Sequence, residues 1–108
     1  MKKSKSPDKS YPPAPGHLSE RSRALWDEIG PREVRSEEQR VLFQAALESL
    51  DRAEEARKVV SEEGLTFKTE GTGTVHVHPL LKIEREARAQ FARIWDLLNL
   101  RFRGIEDL

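Results

Sequence analysis

His76 and His78 are the pair in this chain best spaced to share a metal ion, because alternate residues of a strand lie on one face. Zinc sites use three or four protein ligands. The third histidine, His17, is remote in sequence and there is no cysteine, so no metal or other cofactor is expected. The expected job of His78 is to cap the helix that follows or to pack at the base of a hairpin that precedes it. Gly71-Thr72-Gly73 lacks the lysine and the strand-to-helix setting of a phosphate-binding loop. The carboxylate pairs Glu54-Glu55 and Glu62-Glu63 sit at adjacent helical positions, which diverge by about 100° and do not converge on one substrate. No Ser/His/Asp spacing supports nucleophilic catalysis, and the chain is not expected to be an enzyme.

Cationic side chains offer a different chemistry, the neutralisation of phosphate. Lys2, Lys3, Lys5 and Lys9 crowd the N-terminus, Arg21 and Arg23 open the first helical pattern, and Lys82, Arg85 and Arg93 share an arc of one later helix. These nine are the candidates for DNA contact. Arg32 and Arg35 extend the first helical group. Glu86 and Asp96 interrupt the later one, so it also fits a solvated face of ion pairs. Lysine plus arginine number 19 and aspartate plus glutamate 19, giving no net charge. A dedicated DNA-binding domain is usually more basic, so the balance alone does not point to nucleic acid.

Charge is nevertheless segregated. Residues 36–63 hold eight acids and four bases, and residues 79–103 hold six bases and three acids. Opposite excess on two long segments favours their packing together or against other copies. With 108 residues, 36% hydrophobic and 35% charged, the chain is one small and rather polar domain, of a kind that often completes its core by association. No apolar run approaches the length that spans a membrane, and the basic start lacks the apolar stretch of a signal peptide. Cytoplasmic placement is the default expectation.

The elements that must hold these residues follow from local pattern. Pro7, Pro12, Pro13 and Pro15 make residues 1–16 a flexible basic arm. Ser19 can cap a helix over 20–29 with Leu25, Trp26 and Ile29 on its apolar face, and Gly30-Pro31 is expected to end it. Ser36 with Gln39 is a capping box for a helix over 37–63, about 40 Å long, stopped by Gly64. Phe43, Ala46, Leu50, Ala53, Arg57 and Val60 form its seam. Period-two alternation on both sides of Gly71-Thr72-Gly73 predicts a β-hairpin over 65–78, with Phe67 opposite Val77 and Thr69 opposite Val75.

Pro79 then opens a helix over 79–99 with seam residues Leu80, Ile83, Ala87, Phe91, Ile94 and Leu98. Folded back antiparallel, the seams pair Val60 with Leu80, Ala53 with Ala87, Leu50 with Phe91, Ala46 with Ile94 and Phe43 with Leu98. The expected fold is mainly α: a short N-terminal helix, then a long antiparallel helical hairpin whose helices are joined by a small β-hairpin. A single helical domain covers 17–100 and a tail covers 101–108. Leu81, Arg88, Ala92 and Trp95 fall beside the main seam. The first helix can cover them, with Trp26 as partner, or they form an oligomer interface.

Glu62-Glu63-Gly64-Leu65-Thr66, a short turn, and His78-Pro79-Leu80-Leu81-Lys82-Ile83-Glu84-Arg85-Glu86-Ala87 resemble the signature of the short, mostly helical phage terminase small subunits. Pro12 to Ser19, Leu25-Trp26 and Phe91 to Leu98 fit the same family. The resemblance implies a non-catalytic homo-oligomer, often a ring, in the host cytoplasm. Such a protein recognises double-stranded viral DNA and recruits and regulates the large terminase subunit, which carries the ATPase and nuclease. Two places depart from the pattern: the short polar segment 30–35, and the ending from Asn99 onward, where Asn99 is expected to close the helix. Without the resemblance, the residues describe a small helical adaptor or regulator that needs no nucleic acid.

Overall fold

The computed structural model describes residues 10–100, with the backbone alone at residue 67. Three helices and two three-residue strands follow in the order α1 (Glu20–Glu33), α2 (Glu37–Glu63), β1 (Thr66–Lys68), β2 (Val75–Val77) and α3 (Leu80–Leu97). The fold is mainly helical.

Helix α2 has the bounds that local signals dictate. The Ser36 hydroxyl accepts from the Gln39 N–H, and the Gln39 side chain accepts from the Ser36 N–H, a complete capping box. Gly64 stops the helix at φ 97°, a backbone state that side chains other than glycine rarely adopt. At the end of α3, Asn99 takes the left-handed conformation, φ 57°, and its N–H donates to the Asp96 carbonyl at 3.0 Å.

Helix α1 runs four residues past its expected end, with Pro31 inside it. Proline removes one helical donor, but the bond that spans it, from the Val34 N–H to the Gly30 carbonyl, is made at 2.9 Å. Val34 is fully buried in the core and the Arg35 guanidinium donates to the Pro31 carbonyl. Burial of Val34 thus outweighs the local stop signal. Gly30 meets the ring of Tyr11 so closely that a Cβ there would lie 2.5 Å from it.

The core gathers at one end of the molecule. Trp26 stacks on Phe43 with centroids 5.4 Å apart, and Phe43 meets Trp95 at 6.2 Å. Tyr11, Leu18, Val34, Leu47, Ile94 and Leu98 close around them. Phe43 and Leu98 therefore share one cluster, as the antiparallel pairing of α2 and α3 requires. The described part of the arm is not free. Tyr11 is buried against Trp26, whose indole N–H donates to the Pro12 carbonyl at 2.9 Å. Lys2, Lys3, Lys5 and Lys9 lie outside the described residues.

Between α2 and α3, β1 and β2 pair antiparallel, Thr66 with Val77, Phe67 with His76 and Lys68 with Val75. This is one residue away from the expected register. The Thr69 N–H donates to Thr74 and the Gly73 N–H to Thr69, so the loop holds four residues rather than three. Gly71 and Gly73 both stand at positive φ, 91° and 73°, which closes that longer loop. An even loop exchanges the faces, and Val75 and Val77 now share theirs with Thr66 and Lys68.

Candidate functional site

Where α2 runs down toward the ribbon, α1 no longer covers it. The first turn of α1 is fastened higher up, at Asp51. That carboxylate accepts from the Ser19 N–H (2.8 Å), the Ser19 hydroxyl (2.7 Å) and the Ser22 hydroxyl (2.6 Å). Burial alone would raise the Asp51 pKa, but the bonds from Ser22 and Ser19 hold it below the ordinary value. Arg21 pairs with Glu54, one turn before Arg57.

Beyond that point the lower half of α2, the end of β2 and the first turns of α3 enclose a groove of about 650 Å³. Arg57, Lys82, Arg85 and Arg88 line it, with Glu84 the one carboxylate among them. Val77, Pro79 and Leu81 give it apolar surface. Glu84 is only 7% exposed. Its two oxygens receive Arg57 at 3.2 and 3.3 Å, and Arg88 adds a bond of 3.1 Å. Burial would push this carboxyl up, but the guanidinium bonds from Arg88 and Arg57 keep its pKa lowered. The acid therefore works as a fixed clamp. It ties α2 to α3 and sets two arginines at the groove wall, each about half exposed.

His78 closes one end. Its Nδ1 accepts the Leu80 N–H at 3.1 Å, capping α3, which leaves Nε2 to carry the proton and donate to Glu63 at 2.8 Å. His76 instead meets the Thr69 hydroxyl on the ribbon. The two histidines thus serve different partners. Among the described residues no three of His, Asp and Glu come together as a metal site.

The expected site residues divide. Lys82 and Arg85, proposed for DNA, join Leu81 and Arg88, proposed for an oligomer interface, in the one groove. Arg93 lies two turns farther along α3 and donates to Gln90. Arg23 is exposed on α1. Trp95 turns inward to Phe43 and Phe91, while Ala92 stays exposed.

The sequence reading missed Arg57 as a groove residue, having placed it in an apolar seam. A charge at a seam position calls for a facing acid. The expected seam of α3 held Ile83, but Ile83 is exposed and Glu84 is the buried residue that meets Arg57.

Comparison with known proteins places these elements in a wider set. The family described as phage terminase, small subunit, matches residues 22–101, which include every residue of the groove. Comparisons with curated proteins and with solved structures give no match. Among the described residues no helix is long and apolar enough to cross a membrane.

Proposed function

The chain belongs to the phage terminase small subunit family, whose role is in phage DNA packaging, and on that footing we propose that it is the non-catalytic, DNA-binding component of a packaging machine. In this reading it assembles as a homo-oligomer, a ring, in the host cytoplasm. It recognises double-stranded viral DNA and recruits and regulates the large subunit with its ATPase and nuclease. The family match over most of the chain carries the proposal. Cationic side chains exposed on separate elements add support, since phosphate binding needs charge at the surface more than a shaped pocket.

The DNA-binding set we propose is Lys2, Lys3, Lys5 and Lys9, outside the described residues, with Arg21, Arg23, Lys82, Arg85 and Arg93. Arg23 has no ion pair among the described residues, whereas Arg21 answers Glu54 and Lys82 approaches Glu86 at 4.0 Å. Arg85 and Arg93 likewise have no ion pair among the described residues, so with Arg23 they hold the least compensated charge of the described set.

One observation favours the adaptor reading instead. Charge sums to zero and several arginines are already engaged by carboxylates. A gel shift separates the two. The full chain is expected to retard a labelled duplex in the presence of excess neutral protein. No retardation at low salt would leave the adaptor reading standing.

A further inference from the structure

The groove beside the ribbon has features that phosphate binding does not require. It is concave, whereas a duplex presents a convex rod of phosphates. Its volume, about 650 Å³, falls in the range of sites that enclose a few side chains or a small molecule. Val77, 64% exposed, lies at its apolar surface with Leu81. A sugar–phosphate backbone laid across the mouth would leave both unburied. Arg85 has no ion pair among the described residues, and the Glu84 clamp holds Arg57 and Arg88 at fixed positions on the wall. Four cations against one carboxylate leave the groove with an excess of positive charge.

From these features we propose that the groove is a docking site for an acidic peptide segment of a partner protein, anchored by an apolar side chain between carboxylates. Arginines fixed in place by a buried acid recognise carboxylates with little ordering to be done on binding. The apolar side chain buries against Val77 and Leu81 in the same act. Arginine clusters that read acidic motifs are a recurrent mode of peptide recognition. The inference stands on the geometry of the groove and does not require the chain to bind DNA.

The test uses the full chain and fluorescence anisotropy with three labelled probes. One is a ten-residue peptide of Glu and Asp carrying two leucines, the second has serines in place of the leucines, and the third is a DNA duplex. The leucine peptide is expected to bind about tenfold more tightly than the serine peptide. Arg85→Ala should weaken it about fivefold, and Val77→Ser about threefold. Both side chains are exposed, so the variants are expected to fold, and helical circular dichroism checks this. Equal binding of the two peptides would overturn the proposal. So would a leucine-peptide affinity unchanged by both substitutions, or release by Arg85→Ala of the duplex and not the peptide. Failure of the wild-type chain to bind the duplex, with the peptide results as expected, would overturn the DNA reading alone.

Discussion

Asp51 supplies from α2 what the first turn of α1 cannot supply for itself. Three hydrogen bonds from Ser19 and Ser22 converge on its carboxylate, and two of them hold the capping residue Ser19 in place. Asp51→Ala is expected to remove about 2 kcal/mol of stability, read as a lower urea midpoint at unchanged slope. Asp51 and Glu84 share a pH consequence. Each has a folded-state pKa below its ordinary value, 3.8 for Asp51 and 4.5 for Glu84. Their contribution is therefore complete above those values and disappears as the pH falls through the lowered ones. The thermal midpoint should hold steady from neutral pH to about 5, then drop as acid protonates both. Glu84→Gln should flatten part of that drop. Gly30 makes a prediction of opposite sign to helix propensity. Alanine is the better helix former by about 1 kcal/mol, but its methyl would meet the Tyr11 ring at 2.5 Å. Gly30→Ala is expected to destabilise by about 1 to 3 kcal/mol in the same denaturant assay.

The legibility of an element depended on whether its signals are local. Ser36, Gln39 and Gly64 set the bounds of α2 with side chains and backbone close at hand, and the sequence showed them. The pairing of α2 with α3 was legible for a similar reason, since two seams of one period constrain each other. The end of α1 was not, because Val34 is held by residues remote in sequence while Pro31 gives only the local rule. The ribbon register failed on one loop residue, which Gly71 and Gly73 decide together. Tyr11 and Asp51 were silent in sequence because neither lies on a periodic face. The groove was half legible: Lys82, Arg85, Leu81 and Arg88 were singled out, but for two separate roles. Two substitutions probe the elements. Trp26→Ala removes the ring between Tyr11 and Phe43 and is expected to cost about 3 to 5 kcal/mol in thermal or urea unfolding. His78→Ala removes the cap of α3 and the bond to Glu63, for about 1 kcal/mol.

At the scale of the whole molecule, α1 covers only the upper part of the long helices. Leu97 is 72% exposed, and Val41, Leu42 and Ile83 also stand at the surface. Apolar groups left outside the core of so small a domain agree with assembly into larger species. Light scattering at micromolar concentration is expected to give the mass of several chains, and the mass of a single chain would contradict the ring. Charge adds to that expectation, since α2 holds eight acids against four bases and can meet cationic surface on neighbouring copies.

Phosphate-driven binding has a signature that no apolar contact reproduces, a steep loss of affinity with salt. The decisive measurement is the affinity of the full chain for a duplex as salt is raised from about 50 to about 200 mM. Four neutralised phosphates predict a straight line of log affinity against log salt and a loss of about a hundredfold across that range. An affinity that stays level over the same range would contradict a DNA-binding packaging subunit.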